Sequence, residues 1–377
     1  MNSPSLAGLL DSVQTSLLVI KIGSSLIVGK EGAARKNWMD VLAGEVADQR
    51  RTGQRIVIVS SGAIALGAAR LNLPHGGRAN LADAQAAAAV GQIALAGLWS
   101  DALARHGLTA AQLLLTLDDL EDRRRYLNAS ATLQRLLDAG AVPVVNENDS
   151  VATGEIRFGD NDRLAARIAQ AAGAGGVLLM SDVDGLYTGH PHDEGAELVP
   201  VVTAVNGAIH AMAGGADVAG VGTGGMAAKV AAAEIAGRAG ITLAIVNGTY
   251  AGPLGRLVMS KRGTLFMPSG KDRGRKAWLG GRKADRGALV ADAGCIAALR
   301  SGASLLAAGI VEVEGDFSRG DLVTIRAEDA GLIGRGLVEY SADDCRRIMG
   351  MPLAQHEAAL GHMPRSTVMH RDSLVLL

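Results

Sequence analysis

The sequence predicts an α/β protein: a mostly parallel sheet sandwiched by helices, followed by a small, mainly β domain. Three observations predict it. Through about residue 250, short runs rich in Val, Ile and Leu alternate with longer helical stretches. Those short runs are apolar on both faces, the texture of strands covered by helices above and below. After about residue 285 the pattern changes to β-type runs broken by turn signals such as "EGD", "SRGD" and "DAG".

In chain order, the expected strands are Leu17–Ile22, Arg55–Val59, Ala111–Leu115, Ala141–Val145, Gly176–Met180 and Ile241–Val246. Each is short enough for a buried strand. The helical stretches between them are Asn37–Arg51, Leu81–His106, Asp118–Asp138, Asp160–Ala172 and Met226–Ala239. In sheets of this kind ligands bind beyond the carboxyl ends of the strands. Polar or glycine-rich segments follow several strands here ("KIGSS", "SSGA", "NEND", "SDVDGLYT"), which makes one crevice from several loops. A short helix, Asp292–Ser301, opens the second domain, and the tail from Pro352 has no clear pattern.

Composition narrows the function. The chain has 377 residues, with 48% hydrophobic and 20% charged, a globular balance. Aromatic residues are 3%, too few for a surface that stacks the bases of single-stranded nucleic acid. Cys295 and Cys345 give neither a disulfide framework nor a metal spacing, so no metal-ligating residues are expected and a reducing cytoplasm is. No signal peptide and no membrane span are expected, for want of a basic start with a long apolar stretch or a run of about 18 apolar residues.

The net charge of −1 is unevenly spread. Residues 1–260 carry 20 basic and 24 acidic residues, residues 261–286 carry 9 and 2, and residues 287–377 carry 8 and 12. A stretch of net +7 between two regions of net −4 marks a basic linker, so the expected domains are 1–260 and 287–377.

Residues 1–260 contain only four lysines, Lys21, Lys30, Lys36 and Lys229. Lys21 ends the first strand, and Lys229 follows the glycine-rich "AGVGTGGMAAK" and opens a helix. Glycine-rich backbone, a helix N-terminus and an ammonium together make a phosphate cradle. The loop is not a Walker A motif, and no strand immediately precedes its G-x-G-x-x-G spacing. "VSSGAIALG" sets Ser60 and Ser61 where a strand turns into a helix, as caps or as anion ligands. Ser181 and Asp182 stand where a nucleotide could be held, and Asp184–Gly185 reads as a turn.

The densest signal is "NENDSVATGEIRFGDND", Asn146 to Asp162. It holds five carboxylates and three amides against one cation, Arg157. Helix capping by Asp160 or Asn161 explains one or two of these groups, not the upstream "NENDSVATGE".

Taken together, "IKIGSSL", "SSGAIALG", "NENDSVATGEIRFGDND", "SDVDGLYT" and "GVGTGGMAAK" resemble, in order and spacing, the glutamate 5-kinases of the amino acid kinase family. The C-terminal region resembles a PUA domain. The resemblance covers nearly the whole chain and implies an amino acid kinase catalytic domain over 1–260 and a PUA-like domain with tail over 287–377. It departs at Ala84–Gln85, where many relatives have Lys-Gln, and at Gly189–His190–Pro191, which replaces Asp-Pro.

What the resemblance implies is ATP-dependent phosphorylation of the L-glutamate side-chain carboxylate, giving L-glutamyl 5-phosphate, the first step of proline synthesis. It assigns Lys21, Lys229 and Asp162 to catalysis, with Asp162 organising the lysines. Ser61, Asp149 and Asn161 fall on glutamate-binding positions, and Asn148 is added as an amide donor. Lys21, Ser181, Asp182 and the run Thr223, Gly224, Gly225, Met226, Ala227, Ala228 and Lys229 fall on nucleotide-binding positions. It further implies Mg²⁺, inhibition by proline, a homo-oligomer, and a product that could be handed to glutamyl-phosphate reductase. Two alternatives stand beside it. One is a kinase of the same fold acting on acetylglutamate, aspartate, carbamate or a nucleoside monophosphate. The other is RNA binding through the PUA-like domain and basic linker, which the acidic balance of 287–377 disfavours.

Overall fold

The computed structural model describes residues 5–29, 32–151, 160–214, 225–268 and 286–376. They belong to two compact units that divide near residue 271.

The first unit is built on eight strands: β1 (Leu17–Ile22), β2 (Arg55–Ser60), β3 (Ala110–Leu115), β4 (Val142–Glu147), β5 (Gly176–Ser181), β6 (Val201–Val202), β7 (Thr242–Asn247) and β8 (Thr264–Phe266). They form one sheet in the order β3-β4-β2-β1-β5-β7-β8-β6. Every pairing is parallel except that of β7 with β8. The helices are α1 (Ser24–Ile27), α2 (Lys36–Arg51), α3 (Ala63–Leu71), α4 (Leu81–Ala104), α5 (Leu117–Glu121), α6 (Arg123–Asp138), α7 (Asp160–Ala172), α8 (Gly207–Gly214), α9 (Met226–Arg238) and α10 (Pro253–Ser260).

Strand periodicity explains how the sheet places its one internal lysine. Side chains of β1 alternate between two cores. Leu18, Ile20 and Ile22 pack with Trp38 and Leu42 of α2 and Trp99 of α4. Leu17 and Val19 pack with Leu133 of α6, Leu164 and Ile168 of α7, and Val230 of α9. Lys21 shares the parity of Leu17 and Val19, so it faces the α7 and α9 side. All six residues of β1 are buried. Its five apolar side chains, each stabilising by about 1.5–3 kcal/mol, hold the strand that carries the lysine inside.

Several boundaries differ from the sequence reading. The stretch Asp118–Asp138 is two helices, because Asp122 takes extended backbone and accepts from Arg125 N to start α6 afresh. Helices α1, α8 and α10 and strands β6 and β8 went unread, being short or lacking strong periodicity. Within the basic segment 261–286, Thr264–Phe266 is a buried strand of the first sheet, and residues 269–285 lie outside the described residues. Against the expectation of no long apolar run, α4 is long and apolar enough to cross a membrane by length and composition alone, with mean hydropathy 1.3 over 18 residues. Alanines account for much of that average. One face of α4 meets α3 backbone to backbone: a Cβ on Gly67 would lie 1.8 Å from Ala87 O, and one on Gly91 would lie 1.7 Å from Ala63 O.

The second unit carries β9 (Gly287–Ala291), β10 (Ile310–Gly315), β11 (Leu322–Ala327), β12 (Leu332–Leu337) and β13 (Leu374–Leu376). They form a mainly antiparallel sheet in the order β10-β9-β11-β12-β13. Helices α11 (Ala293–Arg300), α12 (Ala342–Ile348) and α13 (His356–Leu360) accompany it, so the patternless tail supplies a helix and an edge strand. Its core holds Leu289, Ile325, Tyr340 and Cys345. Both cysteines are free, and burial pushes the Cys345 thiol up to about 12.

Candidate active site

Strand ends and helix starts converge at the carboxyl edge of the first sheet. Asp162, in the first turn of α7, is fully buried. The Lys21 ammonium stands 2.6 Å from its Oδ1, and the Lys229 ammonium, from the first turns of α9, donates to its Oδ2 at 3.1 Å. The Lys21 contact is a short ion pair. Both lysines are themselves buried.

The charges settle one another. Burial alone would raise the Asp162 carboxyl, but Lys21 and Lys229 outweigh it and hold it below the usual carboxylate range. Burial lowers the Lys21 ammonium, Asp162 opposes that, and the neighbouring Lys229 charge adds to the lowering. Asp182 also acts on Lys21 in the raising direction, which puts the end of β5 within electrostatic reach of the lysine pair. Isolated cations here would cost far more; one shared carboxylate makes two buried ammonium groups tolerable.

One residue before Asp162, Asn161 turns to a different set of partners. Its Nδ2 donates to Ser61 Oγ at 2.8 Å, to Asn146 Oδ1 at 3.0 Å and to Ser60 O at 3.2 Å. Asn146, at the end of β4, is buried and donates to Gln92 Oε1 of α4 at 2.7 Å. Trp99 Nε1 donates to Ser60 Oγ at 2.8 Å. Neither serine caps α3: its N-cap is Gly62, at φ +104°, with no side-chain hydrogen bond. Ser61 Oγ joins the Asn161 network instead, and Ser60 Oγ turns to the buried Trp99. Asn161 likewise is no cap, since it lies inside α7.

Asn148 and Asp149 follow β4 and line a cleft of about 300 Å³ with Gln92, Glu147 and Ser150. Asn148 Oδ1 accepts from Ser150 Oγ at 2.8 Å. Asp149 lies near enough to Arg78 for its charge to oppose the lowering that burial imposes on that guanidinium. Gln92 belongs to both, so the cleft adjoins the amide network through that side chain.

Beyond β5, Ser181 Oγ donates to Asp182 Oδ1 at 3.2 Å. Gly225 caps α9 without a side-chain hydrogen bond, and Met226, Ala227 and Ala228 form the first turn ahead of Lys229. The first N–H groups of a helix have no intrahelical partner, so this turn offers donors to an anion. Thr223 and Gly224 lie outside the described residues, as do Glu155 and Arg157. Sequence reading passed over Gln92, Arg78 and Asn247 as site neighbours. Gln92 had a signal, a lone amide in the alanine-rich "AAAAVGQI"; the others had none.

A parallel sheet with this crevice is shared by a known class. Residues 16–247 match the pattern of the amino acid kinase family, and residues 287–358 that of the PUA domain. The chain belongs to the amino acid kinase family. Over its full length it is 57% identical to the Glutamate 5-kinase of Novosphingobium aromaticivorans, covering 100% of both chains. To the Glutamate 5-kinase of Sphingopyxis alaskensis it is 54% identical over 360 residues, covering 96% of this chain and 97% of the other. Among solved structures, an isopentenyl phosphate kinase covers 67% of this chain at 19% identity with a TM-score of 0.45, over 100% of its own length, a likeness too slight to bear on chemistry.

Proposed function

We propose that this protein transfers the γ-phosphoryl group of ATP to the side-chain carboxylate of L-glutamate, giving L-glutamyl 5-phosphate, the opening step of proline synthesis from glutamate. The observation that carries the reading is the buried Lys21–Asp162–Lys229 cluster at the carboxyl edge of the sheet.

A glutamate γ-carboxylate has a reference pKa of about 4.3, so at neutral pH it is an ionised nucleophile and needs no general base. The obstacle is charge. Two like unit charges about 3.5 Å apart repel by roughly 5 kcal/mol at an effective dielectric of about 20. Positive groups held ready for the transferring phosphoryl group remove that barrier. Lys21 and Lys229 supply them, and Asp162 keeps both in place without a rearrangement at the moment of reaction. The unsatisfied amides at the start of α9 support the β- and γ-phosphates, with Ser181 and Asp182 toward the rest of the nucleotide.

For the amino acid, Asp149 pairs with the α-ammonium group, and Ser61 and Asn148 donate to its carboxylates; Asn161, whose Nδ2 is committed to Ser61, Asn146 and Ser60, holds Ser61 in place beside the substrate. This assignment favours a free amino acid over acetylglutamate, whose nitrogen carries no charge for Asp149 to meet. Mg²⁺ keeps most of its ligands as water and substrate phosphate, so an ion arriving on ATP asks little of the chain. The exposed Asp182 would hold it, and bound there it would neutralise phosphate oxygens. Proline carries the same ammonium and carboxylate as the head of glutamate, and we place its inhibition at Asp149 by competition. The apolar outer face of α4, where Ile93 is 76% exposed, supports a homo-oligomer. The acyl phosphate product hydrolyses readily, which makes handoff to glutamyl-phosphate reductase useful, and ATP and glutamate set both steps in the cytoplasm.

The test is an ATP-dependent assay with hydroxylamine, which traps an acyl phosphate as hydroxamate. Hydroxamate should form with L-glutamate and fall when proline is added. Turnover of acetylglutamate, aspartate, carbamate or a nucleoside monophosphate matching that of L-glutamate would remove the substrate assignment.

A further inference from the structure

The two acids of "SDVDGLYT" meet opposite fates. Asp182 is exposed and its Oδ1 accepts from Ser181 alone among the described residues. Asp184, two residues on, is fully engaged. Its Oδ1 accepts from Asn247 Nδ2 at 3.0 Å, and its Oδ2 accepts from Arg262 Nε at 2.7 Å and from Tyr187 OH at 3.3 Å. Arg262 Nη2 also donates to Tyr187 OH at 3.2 Å. Next along the chain, Leu186 N donates to Thr264 Oγ1 at 2.8 Å. Gly185 permits that bond: a Cβ there would stand 2.4 Å from Thr264 Oγ1. The chain bends at Gly185, where an Asp-Gly turn was expected, and the glycine also allows a close approach of its backbone to the Thr264 side chain.

We infer that Arg262, Asn247 and Thr264 are positioning residues for the nucleotide, holding residues 181–188 through Asp184 and Leu186 so that Ser181 and Asp182 meet ATP in one shape. The inference rests on the reading of the crevice as an ATP site. The ties come from β7 and from the start of β8, 63 and 78 residues away in sequence, and converge on the segment just after Asp182. Three donors already occupy Asp184, Asn247 on Oδ1 and Arg262 and Tyr187 on Oδ2. Burial would raise its carboxyl, but Asn247 and Arg262 outweigh that and keep it ionised and engaged.

The size of the ion pair decides what it is for. The Arg262 side chain is 56% exposed, and an exposed pair adds little to global stability. Its effect is confined to the shape of the segment it holds. Losing it should therefore show in nucleotide affinity and not in melting temperature.

The experiment uses the full chain and the variants Arg262→Ala, Arg262→Lys and Asp184→Ala. A fluorescent ATP analogue is titrated without glutamate, and KM is measured separately for ATP and for glutamate. Arg262→Ala should weaken analogue binding and raise the ATP KM by about threefold to fivefold, the ceiling for an exposed ion pair. The glutamate KM should stay within about twofold and the melting temperature within about 2 °C. Arg262→Lys should recover part of the loss, and Asp184→Ala combined with Arg262→Ala should be no worse than Asp184→Ala alone. Unchanged analogue binding in Arg262→Ala, or an equal rise in both KM values, overturns the inference. Because binding of the analogue is read without any acceptor, a wild-type protein that fails to phosphorylate glutamate would sink the proposed reaction and leave this result standing on its own.

Discussion

The two ends of the crevice are built from opposite materials. At one, three full charges, Lys21, Asp162 and Lys229, are buried against each other. At the other, neutral amides and hydroxyls pass hydrogen bonds from Gln92 through Asn146 and Asn161 to Ser61. Adjacent residues of α7, Asn161 and Asp162, belong to different ends. The difference follows the chemistry proposed at each. A phosphoryl group in transfer needs positive charge that is already in place, and a low-dielectric interior makes such charge effective. An amino acid that arrives and leaves needs donors that orient it without a large desolvation cost, and amides do that.

The largest expected effect breaks the charged end. Asp162→Ala leaves two buried ammonium groups without a counterion and should destabilise the protein by about 3–5 kcal/mol, read from urea unfolding. The pH dependence sharpens this. Asp162 is held below its unfolded value, so the folded state takes up that proton less readily. Its stabilisation is therefore complete above the unfolded carboxylate pKa of about 3.9 and is lost as pH falls through the lower folded value. The stability gap between wild type and Asp162→Asn should narrow in that acid range; a gap that stays constant would show that Asp162 is not the charged centre described.

Next in size is Lys229→Ala, which removes one cation while Lys21 still neutralises Asp162. Its kcat should fall by about 10²–10³-fold with the fold retained, as for loss of one preorganised donor. Near-normal turnover would take Lys229 out of the mechanism. At the amide end, Asp149→Ala should raise the glutamate KM by about 10–100-fold and leave the ATP KM nearly unchanged, the signature of a lost charged contact to one substrate. Equal changes in both would reject the ammonium assignment. The smallest effect belongs to Gln92→Ala. It loosens Asn146 at one remove from the substrate, at a net cost of about 0.5–1.5 kcal/mol. The glutamate KM should rise a few-fold with kcat kept, and a collapse of kcat would place Gln92 in the charged end instead.

Much of this was legible before any coordinates. The apolar runs at 17–22, 55–59 and 176–180 read as buried strands because five or six consecutive residues lack a polar face, and they are strands, the last two one residue longer. The rarity of lysine singled out Lys21 and Lys229. The pairing of Arg262 with Asp184 was not legible, because an Arg in a basic stretch reads as a solvated charge. The same bias took 261–286 for a linker, where three residues, Thr264–Phe266, are in fact a buried antiparallel strand. From local pattern the hydroxyls of "VSSGA" read as caps or anion ligands, because local rules know only local partners. Their actual partners, Trp99 and Asn161, are 39 and 100 residues away.

Amino-acid order by itself determined the six longer strands of the first sheet, which face of β1 Lys21 occupies, and that acids and amides gather at the end of β4 and beyond. Those outcomes follow from local periodicity and from the cost of leaving apolar side chains in water. Only the tertiary structure decided that one carboxylate would serve two lysines, that Asn161 and Asp162 would part company, and that Asp184 would be spent on Arg262 while Asp182 stayed open. Those are matters of a few ångströms between groups far apart in the chain, and an ion pair or hydrogen bond exists only when folding brings its partners within that distance.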